Sequence, residues 1–389
     1  MPHIVKSARL QRQLLQFGFV GMTALVIVSA VMMARENLAA QGLTSGFSFL
    51  TRTTGWDINF SLLAFEPNDT YARALIVGLT NTLFLSSIAL PLATVIGITV
   101  AVMRTSGLAL LELIGKLYVE LFRNVPILLQ LLFWYSLLRG LPQPRAAEGV
   151  LGLAFLTGRG LFVPALSVGG QQVGIAVCLL FLTLVLTLIV RLDGRLRSIP
   201  DALRCKMLCI LWIVALAGVV LVLWMGRLPD QPFISLPQHK GLGIQGGGRI
   251  SPELAAMVVA IAIYGGAYIA EIMRAGFKSV PKGQSEAAIS LGLSPLQTFT
   301  RIRFPLALRA VLPTMTNQYV WLTKASTLGI AVGFADYFMI VSTSINQSGQ
   351  TLELIGLLMA GFLMINYSLA WIMNRVNDAL KLRGTQWRI

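Results

Sequence analysis

Acidic residues are scarce in this 389-residue chain, 16 Asp and Glu against 31 Lys and Arg, and charge of either sign makes up only 12% of it. A soluble domain carries roughly a quarter charged residues, so a chain that is 56% hydrophobic has to place much of its surface in lipid. There are two histidines, His3 and His239, and neither stands in a cluster of Cys, Asp or Glu, which excludes a catalytic metal site of ordinary ligand spacing. The cysteines are three, Cys178, Cys205 and Cys209. They lie in or beside apolar stretches, and the last two do not have the spacing of a metal or redox pair, so they read as packing residues. A phosphate cradle of the form Gly-x4-Gly-Lys-Ser/Thr is missing, so the chain does not bind ATP in the usual way. No nucleophile and base lie near one another either, so the chain is not read as an enzyme. No repeat of fixed period is present.

What the chain does have is long apolar runs. About 20 apolar residues in a helix cross the roughly 30 Å of a bilayer core with every backbone hydrogen bond made internally. About eight runs qualify: Leu14 to Ala34, Ala74 to Met103, Leu117 to Leu138, Gly174 to Val190, Met207 to Met225, Leu254 to Met273, Pro313 to Phe334 and Leu354 to Met373. The first, behind Lys6, Arg9 and Arg12, is longer than a signal-peptide core and reads as an uncleaved membrane helix. The fold class expected is an all-α integral membrane protein.

The net charge of +15 does not call for nucleic acid, because the basic residues form no stripe with interleaved aromatics. They collect between alternate runs, and cytoplasmic flanks retain positive charge. With the N-terminus inside, most of the 31 fall on one side, which places both termini in the cytoplasm of a multi-pass inner-membrane protein. The remaining basic residues lie in longer outer segments. One of these, Gly226 to Glu253, with Pro229, Pro232, Pro237 and the run Gly246-Gly247-Gly248, reads as a flexible loop.

The most informative stretch lies on the inner side between the sixth and seventh runs. Ser279 is expected to cap a helix with Pro281 in its first turn, Glu286, Ala287 and Ala288 lie along it, and Gly292 suits a left-handed terminus. Ser294 then caps a second helix that has Pro295 at its first position. The two alanines keep this surface low, and Glu286 offers one charge to a basic partner. An amphipathic helix resting on lipid headgroups fits the same residues.

Glu286-Ala287-Ala288, Gly292, Ile302 and Pro305 stand at the spacings of the signature of ABC-importer membrane subunits, which this chain resembles; Phe304 stands where Leu is commoner. Tyr118 to Pro126, Gly78 to Leu83 and Tyr268 to Gly276 are similar to the histidine/glutamine-type permeases for polar amino acids. Leu322 to Leu328 and Asn346 to Gln350 resemble the general L-amino-acid branch, with Ala325 where Asn or Asp is common. The resemblance implies a five-helix permease core in residues 73–140 and 254–380. To this are added an N-terminal helix with its periplasmic segment (1–72) and an inserted helix pair with loops (141–253); the transmembrane domain as a whole covers 73–389. It implies that residues 279–305 are a coupling loop seated in a separate ATPase dimer that binds the ATP. A second, non-identical permease and a periplasmic amino-acid-binding protein complete the assembly. The carried substrate would be an amino acid, moved by alternating access. An ion-coupled secondary transporter is the alternative; it should show interrupted spans with related halves and several membrane-embedded carboxylates, and neither is evident in the sequence.

Substrate-pathway candidates come from the spacing of polar residues. On the third run Glu120, Arg123, Asn124, Ile127, Gln130 and Trp134 share a helical face. Glu120 and Arg123 are placed to pair with each other or to gate the inner mouth. On the seventh run Asn317, Trp321 and Lys324 share a face beside Thr316, Thr323 and Thr327. Lys324 either meets a bound carboxylate, joins an internal ion pair or snorkels outward. Pro91 and Pro126, read as inside spans, would hinge them.

Overall fold

The computed structural model describes residues 2–40, 46–150, 153–192, 200–228, 232–241 and 243–380. Its helices are α1 (Pro2–Ala40), α2 (Tyr71–Met103), α3 (Ala109–Asn124), α4 (Ile127–Arg139), α5 (Gly170–Leu192), α6 (Asp201–Met225), α7 (Pro252–Ser279), α8 (Lys282–Ser290), α9 (Pro295–Thr298), α10 (Phe304–Lys324), α11 (Tyr337–Ser348) and α12 (Thr351–Leu380). Among the described residues five helices are long and apolar enough to cross a membrane, and seven spans result if each of two bent helix pairs is one. The fourth expected run, Gly174 to Val190, lies inside α5, which packs along α6.

The centre of the molecule is α7. Its side chains pack against α2, α3, α4 and α10, which is why its small residues recur. A Cβ on Gly97 of α2 would stand 2.6 Å from Ile269, and one on Gly276 would stand 2.6 Å from Val311 and 3.0 Å from the Ala307 carbonyl. Hydrocarbon gives helices no hydrophobic reason to associate, so close backbone approach at small residues is what holds such pairs together. By contrast α1 leaves Phe17, Phe19 and Met22 exposed, as an apolar helix does when its partner is lipid.

Four expectations are corrected here. The third run is two helices, α3 and α4, meeting at 101°. Pro126 is the N-cap of α4, not a hinge within a span, and Val125 ahead of it is extended, as the residue before proline prefers. Pro91, on the other hand, does lie inside the continuous α2.

The seventh run ends α10 at Lys324, continues as a 3-10 turn over Ala325–Val332, and breaks before α11. Gly333 turns the chain at φ 78°. Asp336, fully buried, caps α11 by accepting from the Met339 N–H at 2.9 Å and from the Ser326 hydroxyl at 3.1 Å.

Nor is the segment Gly226 to Glu253 a slack loop. It contributes β5 (Ile234–Ser235), β6 (Gln238–Lys240), β7 (Gly243–Gln245) and β8 (Gly248–Ile250); the stretch between α4 and α5 contributes β1 (Gly149–Val150), β2 (Ala154–Thr157), β3 (Gly160–Val163) and β4 (Ala165–Leu166). They pair as a sheet in the order β1-β2-β3-β8 and two small antiparallel ladders, with Phe162 opposite Arg249. The glycine run serves this turn. Gly246 and Gly247 sit at φ 78° and 67°, and Cβ atoms there would meet the carbonyls of Leu236 and Val163 at 2.6 and 2.5 Å. The fold is therefore helical with a small β layer joining two segments that flank the α5–α6 hairpin.

The break before α11 is held by α2. Buried Asn81 donates to the carbonyls of Phe60 (2.9 Å) and Ala335 (2.8 Å) and accepts from Leu62 N–H, while Thr82 accepts from Tyr337 N–H at 3.0 Å. An Asn81→Leu replacement strands all three backbone partners. At about 1 kcal/mol or more for each unmet group, it should lower the melting temperature of the detergent-purified protein clearly, while Thr80→Ala, whose hydroxyl only bonds its own helix, should not.

Candidate functional site

Between α7 and α10 the chain makes an exposed helix–turn–helix. Ser279 does not cap α8: it ends α7 and donates to the Gly276 carbonyl, and Pro281 precedes the helix. The turn itself is a Schellman motif. Gly292, at φ 81°, donates to the Ile289 carbonyl and Leu293 N–H reaches the Ala288 carbonyl, the two bonds that satisfy carbonyls at a helix end. Ser294 caps α9 as expected, and Gln297 bonds back to the Ser294 N–H, closing a capping box. Glu286 and Ala287 face outward, whereas Ala288 is buried, so one alanine of the pair forms the surface and the other supports it. Ile289, Leu291 and Leu296 project, with 61%, 81% and 71% of their surface exposed.

The second half of this element is not a separate surface helix. It runs without interruption from α9 through a π-helical turn, Phe299–Arg303, into α10. Ile302 lies in the π turn and Pro305 just after it, both half-buried. Pro305 has no N–H and its ring crowds the carbonyl one turn back, and the wider π turn accommodates both defects. Phe277 of α7 meets Phe299 at 5.5 Å and Phe304 at 6.3 Å between ring centres, with Arg303 over the Phe277 ring. These contacts join the α8–α9 element to both α10 and α7.

The polar face expected on the third run does not form, because the bend separates its members. Glu120 pairs with Lys116 at 3.8 Å and not with Arg123, which lies over the Tyr268 ring at 4.9 Å. Gln130 is buried and donates to the carbonyls of Phe122 (2.8 Å) and Val125 (2.9 Å); it fastens the break. Asn317, Trp321 and Lys324 do share the exposed face of α10, while Thr323 is buried and bonds its own helix through the Tyr319 carbonyl. Lys324 ends α10 and is exposed, so it is not deep in an unbroken span.

Two carboxylates escaped notice in the sequence. Glu271, inside the sixth run, is held between Arg104 at the end of α2 and Arg274 one turn along α7. The i, i+3 spacing of Glu271 and Arg274 signalled half of this cluster; Arg104 comes from another helix and nothing local pointed to it. Asp336 is the second. Both carboxylates are fully engaged, one by guanidinium groups and one by a helix terminus.

Fold and site together define a polytopic helical membrane protein with two bent helix pairs among its apolar runs and an exposed, apolar-tipped helix–turn–helix that runs directly into a long apolar helix. The chain belongs to the family of binding-protein-dependent transport system inner membrane components, whose sequence pattern matches residues 93–382. An Escherichia coli protein named as an amino-acid ABC transporter permease, YhdX, is 37% identical over 353 residues, covering 89% of this chain and 88% of that one. The general L-amino acid transport system permease protein AapQ of Rhizobium johnstonii is 36% identical over 351 residues, covering 89% and 86%. A solved structure described as an amino acid ABC transporter with histidines aligns over 79% of this chain and 94% of its own at 19% identity, with a TM-score of 0.45.

Proposed function

We propose that this chain is one permease subunit of an ATP-driven importer that carries amino acids across a bacterial inner membrane by alternating access, with both termini cytoplasmic. The observation that carries the reading is the continuity of the Glu286–Pro305 element with α10. An exposed loop bearing Ile289, Leu291 and Leu296 has a surface to seat in a partner, and an unbroken helix has the stiffness to pass the displacement on. ATP is bound and hydrolysed by the partner, an ATPase dimer; this chain supplies the lever. The relatives' amino-acid names support the choice of cargo. A second permease and a periplasmic amino-acid-binding protein complete the assembly, and the division into an N-terminal segment (1–72) and a transmembrane domain (73–389) belongs to the same proposal.

The test is reconstitution in proteoliposomes with those partners. Uptake of an amino acid that requires enclosed ATP and the binding protein is the expected result. Uptake driven by a proton or sodium gradient with no ATPase present would overturn it in favour of a secondary transporter.

A further inference from the structure

Helix α6 leaves Ile213 and Val220 exposed along its length, so its outward side is covered by lipid, as that of α1 is. Arg204 and Lys206 mark its first turns. Roughly 30 Å of hydrocarbon, at 1.5 Å of rise per residue, takes about 20 residues from Met207 and ends near Arg227. Trp224 and Met225, both exposed, therefore stand at the far boundary of the bilayer core, where aromatic side chains collect. At this level α6 is tied to the start of α5. The Gly226 carbonyl accepts from Gly169 N–H at 2.9 Å, and Arg227 is bridged to Val168.

The β4–β5 ladder continues directly from this boundary. Leu228 N–H reaches the Ser167 carbonyl and Ser167 N–H reaches the Phe233 carbonyl, both at 3.0 Å, and Leu166 pairs with Ile234. Leu166 is two residues from Val168, so at the rise of an extended strand it lies at most about 7 Å beyond the bilayer core. The headgroup layer is itself roughly 5–7 Å deep, and any tilt of α6 would draw the ladder deeper. Opposed residues of an antiparallel pair share a face, as do side chains two apart along a strand. Leu166, Ile234 and Leu236 thus form one face. All three are exposed, as is Phe233 ahead of the strand. Ser235, on the opposite face, accepts from Gly247 N–H at 2.9 Å and holds the ladder to the rest of the β layer.

We propose that the β4–β5 ladder is a membrane anchor: the face formed by Leu166, Ile234 and Leu236, with Phe233, sits among the phospholipid headgroups at the Gly226 end of α6, the outer leaflet in the orientation proposed above. A group of large apolar side chains on one small turn marks a contact surface, and the lipid-covered side of α6 runs straight into this one. The charge agrees. Residues 140–169 and 226–251 hold Arg145, Arg159, Arg227, Lys240 and Arg249 against Glu148 and Asp230, which suits lipid phosphates. A two-residue ladder leaves edge backbone groups to be met from outside, and headgroups with their water supply the partners that hydrocarbon lacks. Anchored in this way, the ladder fixes the depth of the α5–α6 hairpin and of β8, which leads into α7.

The experiment uses the complete transporter in vesicles of phosphatidylethanolamine and phosphatidylglycerol, with Cys178, Cys205 and Cys209 replaced by Ser. A nitroxide is attached to single Leu166→Cys, Ile234→Cys and Leu236→Cys variants that melt at the parent's temperature. Lys240→Cys, at an exposed position on β6, serves as control. Collision of each label with oxygen, which concentrates in lipid, is compared with its collision with a water-soluble nickel chelate. The ratio of oxygen to nickel collisions should be higher at all three ladder positions than at Lys240.

Equal ratios at the ladder and at Lys240 would place the ladder in water and overturn the anchor. Labels shielded from both reagents would also overturn it, and would assign the face to a second copy of the chain or to another subunit. Neither outcome touches amino-acid import, so the permease reading stands or falls by its own test.

Discussion

Gly292→Val is expected to abolish ATP-driven amino-acid uptake while leaving the protein inserted and folded. The residue sits at φ 81°, and a Cβ built on it meets no atom within 4 Å, so the replacement creates no clash and acts on the backbone alone. A left-handed conformation costs an ordinary L-residue about 1–2 kcal/mol and a β-branched one more, which shifts the turn away from its native shape at least five- to thirtyfold. The two bonds of the Schellman turn and the angle between α8 and α9 go with it. Gly292→Asn, which tolerates the left-handed region, should retain most of the uptake. Measured side by side in the reconstituted transporter, equal activity of the Val and wild-type proteins would remove the loop from the drive mechanism.

A second large effect is expected at Glu271. Its carboxylate is shared by Arg104 and Arg274, whose side chains are only 16% and 23% exposed, so Glu271→Leu leaves two guanidinium groups unpaired at the junction of α2 and α7. Removing one partner of a buried ionic cluster costs about 3–5 kcal/mol, and the partial exposure here lowers that to about 2–3. The purified variant should unfold at a markedly lower temperature, and adding Arg104→Leu should restore part of the loss. A variant with unchanged melting and unchanged uptake would show that the cluster holds nothing together.

The loop was legible in the sequence because its determinants are local. A helix stop needs a residue that tolerates positive φ, and a helix start needs a side-chain acceptor beside Pro; Gly292, Ser294 and Pro295 announce both. Ser279 misled because a serine near Pro281 suits a cap equally well on paper, whereas α7 extends further than its apolar run. Glu120 with Arg123 misled for a related reason: i, i+3 spacing permits a pair, but Lys116 at i, i+4 and the Tyr268 ring on another helix offered better partners. The glycines of Gly246–Gly248 look like slack in one dimension and are close contacts in three.

By itself the sequence determined that the chain lives in lipid, where its apolar runs lie and where the turn of its exposed helix–turn–helix falls, since hydropathy, caps and glycine turns act within a few residues. Only the tertiary structure decided that two of those runs are broken and what holds the breaks. It also decided that Glu271 is shared across helices, that β8 joins the distant strands β1 to β3 in one sheet, and that the asparagines of α12 stand opposite Pro313 and Asn317. These are matters of which buried polar group finds which partner. In a low-dielectric interior an unpaired group is costly enough that the pairing is settled by the packing of the whole molecule, which no local pattern encodes.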